Sequence, residues 1–343
     1  MNNYNFKLFN LLIFIYRNIT IIGGSVFVAT RLTRRLLDSG HTVKIADKND
    51  SKKYPEHRVY ADVREPDSLL KELQGSDVVI NLAAEHRDDV TPKSLYDDVN
   101  VTGAENVCNA CTKLGIKKII FTSSVAVYGF APKGTSENGK INYFNDYGRT
   151  KWLAEEKYRE WLSKDSMNSL TILRPTVIFG EQNRGNVYNL LRQIAGGRFP
   201  MVGKGTNVKS MAYVENIAAF IEFNLSNTPG EHLYNYIDKP DLDMNTLVTQ
   251  VYSILGKPHK IIHWPYWLGY FGGLCFDLLA LITRKKLAIS SIRVKKFCAD
   301  TLFNAENIKK TGFVPPVSLK EGLRKTIQYE FVDKIQDHLF FTE

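Results

Sequence analysis

A chain of 343 residues that is 44% hydrophobic and 24% charged can bury a sizeable core, which excludes a disordered polymer and points to one large or two smaller globular domains. The formal charge of +9 favours anionic partners, such as phosphates, a diphosphate substrate, an acidic membrane face or nucleic acid, without choosing among them. With no RNP-like aromatic sequence, zinc-finger spacing or long basic tract, nucleic acid is not an expected partner. Four scattered cysteines are too few for a disulfide framework and fit a reducing, cytoplasmic setting. Cys108 and Cys111 form a CxxC in a helix-like stretch with no second Cys or His pair nearby, so they read as buried small side chains and no metal is expected.

Taken in chain order, residues 1–18 form an N-terminal extension. Its apolar run, residues 8–16, is far shorter than the ~20 residues of a spanning helix, and no small-residue cleavage site follows. It reads either as a membrane-touching segment or as a loosely docked tail. Residues 18–22 are a β-branched run ending in glycines, residues 29–39 are amphipathic and close at Gly40, and residues 42–46 form a second strand ending at Asp47. That is a βαβ unit. Further strands are expected at 78–82, 118–123 and 171–173, with helices between them. The fold class is therefore α/β, a Rossmann-type doubly wound parallel sheet with a smaller C-terminal substrate-binding region, and ligands belong at the strand ends. The expected division is 19–175 for the dinucleotide-binding domain and 176–343 mainly for the substrate region, with some returning Rossmann elements. Residues 264–283 are long and apolar, aromatic at the start, interrupted by Asp277 and followed by Arg284, Lys285 and Lys286. This pattern suits an interfacial helix on anionic lipid, or a buried helix of the second region.

Two constellations carry chemistry. A dinucleotide turn needs glycine where the chain bends, where backbone approaches the pyrophosphate and where the helix packs on the strand. In GGSVFVA, Gly23 fills the first place and Ala29 is tolerated at the third. Val26 stands at the second, beside Phe27 and Val28, where a positive φ would be strained. Asp47, at the end of the second strand, can accept hydrogen bonds from an adenosine ribose and would repel a 2′-phosphate, so the expected cofactor is NAD. The second constellation is Ser124 in the strand-terminal FTSSVAVYG together with Tyr147 and Lys151 in YGRTK. The last two lie four apart and share a helix face. A nearby ammonium stabilises phenolate, so Lys151 is expected to lower the Tyr147 pKa while Ser124 holds the reacting oxygen, a set suited to hydride transfer.

The motifs FTSSVAVYG, YGRTK and NLAAEH resemble the NAD-dependent epimerase/dehydratase family of extended short-chain dehydrogenases/reductases. More narrowly, AAEHRDDV, SLYDDVNV, NRGNVYNLL, KSMAYVENI, YNYIDKPDLDMN and RVKKFCA look like the bacterial epimerases that act on GlcNAc-diphospho-undecaprenol. The resemblance spans residue 19 to the C-terminus. It implies C4 interconversion of lipid-linked GlcNAc and GalNAc through a 4-keto sugar with tightly held NAD, for a surface polysaccharide such as O-antigen. It further implies that Asp62 and Val63 lie at the adenine, Leu82, Ala83 and Ala84 lie beside the ribose-phosphate, and Asn100 supports the floor. Arg184 and Arg293 are the expected diphosphate ligands, because guanidinium forks match phosphate oxygens. The implied setting is peripheral, on the cytoplasmic face of the inner membrane, with pairing of two copies through the YxxxK helices as the family arrangement.

Three alternatives stay open. A nucleotide-sugar dehydratase or reductase is disfavoured because Val125 and Ala126 follow Ser124, where the family's eliminating enzymes carry an acid. A UDP-sugar 4-epimerase differs mainly in the carrier. A non-catalytic nucleotide-binding subunit would explain Val26 but not the intact Ser124, Tyr147 and Lys151.

Overall fold

The computed structural model describes residues 16–87, 90–197, 199–258, 261–283, 290–335 and 339–340. Most of the N-terminal extension, together with Arg284, Lys285 and Lys286, lies outside the described residues.

Twelve strands are present among the described residues: β1 Asn18–Ile22, β2 Thr42–Ala46, β3 Arg58–Val59, β4 Val78–Asn81, β5 Lys118–Thr122, β6 Ser169–Pro175, β7 Val177–Phe179, β8 Pro200–Val202, β9 Val208–Tyr213, β10 Gly230–Tyr236, β11 Asp238–Asp243 and β12 Ile262–Trp264. Seven of them form one parallel sheet in the order β10-β6-β5-β4-β1-β2-β3. The central strands, β4 and β6 above all, are buried along their whole length because helices cover both faces of a parallel sheet. On one face Ile19 and Ile21 pack in a cluster with Leu32, Leu36 and Phe220; on the other Ile22, Val79 and Phe121 join Val107, Tyr158 and Trp161. Full burial of such side chains stabilises by ~1.5–3 kcal/mol each.

The helix Phe27–Asp38 follows the glycine turn and carries Arg34 and Arg35, which pair with Glu215 and Glu222 of the helix Val214–Phe223 at 2.7 and 2.6 Å. That second helix precedes β10, the strand that completes the sheet beside β6. The first sheet is thus built from both halves of the chain. The remaining elements make the smaller region. It contains a three-stranded sheet, β11-β9-β7, and a two-stranded one, β12-β8, around Phe179, Leu191, Met211, Leu247 and Leu323.

The helix Tyr266–Thr283 is long and apolar enough to cross a membrane by length and composition, yet nearly all of it is exposed, with Trp267 at 67% and Leu281 at 76%. Gly273 is its one buried residue. A Cβ there would stand 2.7 Å from the Ser291 Cα, so glycine lets the following helix, Ser291–Cys298, touch its backbone. Asp277 accepts a hydrogen bond from the Ser291 N–H at 3.1 Å across the same contact.

Candidate active site

The sheet order reverses between β1 and β4, and a cavity of about 1360 Å³ opens at the carboxyl ends of these strands. It exceeds the ~300–1,000 Å³ of common small-ligand pockets, leaving room for a dinucleotide and a second ligand. Gly23, Val26, Phe27, Val28, Asp47, Asp62, Val63, Leu82, Ala83, Ala84, Ser124, Tyr147, Lys151 and Arg293 all line it.

Gly23 sits at φ +72°, and a Cβ there would lie 2.6 Å from the Ala83 nitrogen. Glycine is required on both counts. Val26 differs from the expectation of strain. It is the residue before the helix, at φ −103° and ψ −179°, extended backbone open to any side chain, so the positive φ of the turn is confined to Gly23 and Val26 costs no strain. No side chain caps this helix and no acid lies in its first turn, so its N–H groups and dipole suit an anion. The Asp47 carboxylate, 5% exposed, accepts from the Ser25 N–H at 2.9 Å and the Asn49 N–H at 2.8 Å, bracing the turn while its oxygens keep further acceptor capacity. These features fit a dinucleotide. The Asp62 carboxyl is held below its usual range by Arg64. Asn100 does not face the cavity. It is buried beneath it, bonding the Glu85 N–H and C=O at 2.8 and 2.9 Å and Thr150 Oγ1 at 2.9 Å, and so fixes the loop after β4.

The catalytic candidates come from two elements. Asn145 caps the helix Asp146–Leu162, accepting from the Gly148 N–H at 2.9 Å, which puts Tyr147 in the first turn and Lys151 one turn on. Ser124 lies two residues past the end of β5 and caps the short turn Val125–Tyr128; its hydroxyl accepts from the Ala126 N–H at 3.1 Å and bonds the Tyr147 phenol. The Lys151 ammonium, 2% exposed, donates to the Thr122 carbonyl at 2.7 Å and lies 4.7 Å from the centre of the Phe121 ring.

The expected lowering of the Tyr147 pKa is not what the surroundings produce. Burial pushes the phenol up to about 12, with the Ser124 hydrogen bond opposing, and pushes the Lys151 ammonium down to about 7, with Glu155 opposing. Desolvation disfavours both charged forms, and the ammonium is bonded to the Thr122 carbonyl instead of the phenol.

Arg184, expected at the diphosphate, does not line the cavity. Its guanidinium pairs with Glu330 at 2.8 Å and stacks on Tyr188 at 4.1 Å, while its neighbours Asn183, Gly185 and Asn186 face the cavity. Lys296, Ser210, Thr301 and Phe340 also line it. Ser210 and Lys296 lie in the strings KSMAYVENI and RVKKFCA, whereas Thr301 and Phe340 come from segments with no motif of their own; tertiary pairing joins them, such as the Ser210 N–H to the Thr301 carbonyl at 3.1 Å. A further group lies under Lys151. Glu155, eight residues after Tyr147 and fully buried, binds Ser123 at 2.6 Å and Arg174 at 2.5 and 2.8 Å. Its signal was legible as a third residue on the helix face of Tyr147 and Lys151. Cys108 and Cys111 lie on the helix Gly103–Leu114, where burial pushes both thiols up.

Residues 19–236 match the model of the NAD dependent epimerase/dehydratase family. The chain is 55% identical, over 94% of its length and 98% of the relative's, to the N-acetyl-alpha-D-glucosaminyl-diphospho-ditrans,octacis-undecaprenol 4-epimerase of Escherichia coli O157:H7. It is 27% identical to the UDP-glucose 4-epimerase of Vibrio cholerae over 91% of this chain and 95% of that one. Among solved structures, the UDP-glucose 4-epimerase of Thermotoga maritima superposes with a TM-score of 0.71 at 20% identity, covering 91% of this chain and 98% of that one, a likeness of fold. By its cavity at the reversal of a parallel sheet and by these matches, the chain belongs to the NAD-dependent epimerase/dehydratase family.

Proposed function

We propose that this chain is an NAD-dependent sugar 4-epimerase that interconverts GlcNAc and GalNAc carried on undecaprenyl diphosphate, for O-antigen or another surface polysaccharide. The observation that carries the reading is the meeting of Ser124, Tyr147 and Lys151 in one cavity with the Gly23 turn and Asp47, in a chain 55% identical to an epimerase of that lipid-linked sugar.

Gly23, the uncapped helix start and Asp47 would hold NAD, which when bound accepts the C4 hydrogen and returns it. The residues do the rest. Tyr147 takes the proton of the C4 hydroxyl and restores it after the sugar presents its other face. Ser124, bonded to the same phenol, holds the reacting oxygen. At neutral pH the resting phenol retains its proton and can protonate a C4 oxygen. It takes the C4 proton only as phenolate, and Lys151, near its titration midpoint one turn away, is the ionisable neighbour whose neutral amine would take up the phenol's proton. No net oxidation occurs, so the cofactor stays in place between turnovers. Arg293, with Lys296 beside it on the wall, suits the diphosphate.

The same reading puts the chain at the cytoplasmic face of the inner membrane. The exposed apolar helix Tyr266–Thr283 supports peripheral contact there, lying in the interface with its aromatic start at the headgroups. Pairing of two copies across the helix Asp146–Leu162 belongs to this reading, and sedimentation of the NAD-loaded protein tests it.

The deciding experiment incubates the protein with GlcNAc-diphospho-undecaprenol in detergent and analyses the released sugar. GalNAc is expected from the lipid-linked substrate and not from UDP-GlcNAc, and Tyr147→Phe should lower turnover by ~100-fold or more. Turnover of UDP-GlcNAc alone would make the chain a UDP-sugar epimerase. Undiminished activity of a folded Tyr147→Phe would overturn the chemistry.

A further inference from the structure

One short helix, Ser291–Cys298, touches three features at once. Its Arg293 and Lys296 line the catalytic cavity. Its first residue abuts Gly273 of the exposed apolar helix. Its Lys295 and Lys296 ammoniums sit over the rings of Phe130 and Phe144, at 5.4 and 4.9 Å from the ring centres.

The two phenylalanines form a platform. Their rings lie 5.0 Å apart, tilted by 32°, and they are 46% and 47% exposed. Phe130 follows Gly129 and Phe144 precedes Asn145, and both of these neighbours line the cavity, so the platform stands at its mouth. The loops that carry the rings are joined by the Asn142 N–H to Val127 carbonyl bond at 3.0 Å. A pair of large apolar rings left half in water, each under an ammonium, adds little to a core. Exposed cation–π contacts give only ~0.5–1 kcal/mol. Apolar faces for a hydrocarbon, cations for a diphosphate and a catalytic cavity behind them together match a ligand that carries all three parts.

We infer that Phe130 and Phe144, with Lys295 and Lys296, form a subsite for the junction of a polyprenyl diphosphate. The rings carry the first isoprene units and the ammoniums face the diphosphate as the chain leaves the cavity. The inference rests on the lipid-linked reading above and adds where the carrier runs. The remainder of the carrier continues toward the helix Tyr266–Thr283, which the same short helix touches.

The test compares two substrates in one detergent, GlcNAc-diphospho-undecaprenol and GlcNAc diphosphate bearing only a methyl group, on the NAD-loaded protein. Wild type should prefer the long carrier at least tenfold in kcat/KM. A Phe130→Ser, Phe144→Ser double variant with an unchanged thermal midpoint should lose that preference through KM, with kcat and the short substrate unaffected. Phe144→Ser alone should give an intermediate ratio. Lys295→Gln with Lys296→Gln should raise KM for both substrates, because both keep the diphosphate. Sugar-free undecaprenyl diphosphate should inhibit wild type at least tenfold better than the phenylalanine double variant. A double variant that keeps the wild-type ratio and inhibition overturns the subsite and leaves the epimerase reading standing. A wild type inactive on both substrates overturns both.

Discussion

Glu155→Gln is the perturbation that most directly tests how this site is supported. Glu155 is fully buried, and its carboxylate accepts from Arg174 Nε at 2.8 Å and Nη2 at 2.5 Å, from Arg159 Nη2 at 3.0 Å and from Ser123 Oγ at 2.6 Å. Arg174 is 1% exposed, and its other nitrogen bonds the Tyr128 hydroxyl at 2.5 Å and the Glu137 carbonyl at 3.1 Å. The neutral amide keeps the shape but removes the counter-charge of a guanidinium that has no route to water. Breaking such a pair from one side costs ~3–5 kcal/mol, against a total stability of ~5–15 kcal/mol. Replacing both members, Glu155→Leu with Arg174→Met, removes the orphan, so the double variant should be more stable than the sum of the single losses by ~1–3 kcal/mol. Urea unfolding with an unchanged m-value supplies each number. A Glu155→Gln loss under ~1 kcal/mol, or strict additivity in the cycle, would refute the idea that this pair is the electrostatic floor of the site. The same substitution removes the charge that opposes desolvation of Lys151, so the Lys151 titration should move below about 7.

Three more expectations follow from the same geometry. The folded pKa of Lys151, about 7, lies below its unfolded value of 10.5, so the unfolded chain binds the extra proton between these limits and stability rises with pH across that window; Lys151→Met in NAD-free protein should therefore stabilise by on the order of 5 kcal/mol below pH 7 and by little above pH 10.5, as read from thermal midpoints against pH. Val26→Gly should leave the amount of co-purifying NAD unchanged, because Val26 already occupies an ordinary extended conformation; a large gain in bound NAD would show that its side chain obstructs the pyrophosphate. Asp47→Ala removes the acceptor for two backbone N–H groups, and the protein should lose NAD on desalting and lose ~1–3 kcal/mol of stability, whereas retained NAD would contradict its place at the ribose.

Much of the sheet was legible because parallel strands buried on both faces are short β-branched runs. The expected strands at residues 18–22 and 42–46 coincide with β1 and β2, and those at 78–82 and 118–123 end within a residue of β4 and β5. Arg58–Val59 was not read, since two residues show no periodicity, and Gly230–Tyr236 was hidden by its mixed composition, its identity as a sheet strand depending on β6 alone. Side-chain direction was the harder matter. In the run Asn183-Arg184-Gly185-Asn186 the conspicuous charge turned to Glu330 while its smaller neighbours faced the cavity, because a buried carboxylate competes strongly for a guanidinium. The Tyr147 and Lys151 spacing gave the shared face correctly, but titration depends on burial, which spacing does not report.

The seventh strand has a consequence for how the polypeptide matures. While a ribosome has delivered only the first 175 residues, β6 presents an unpaired edge, and its partner β10 is still more than fifty residues away from synthesis. A fragment cut at that point should aggregate rather than behave as an autonomous nucleotide-binding module, and productive closure of the sheet must wait until Tyr236 has emerged.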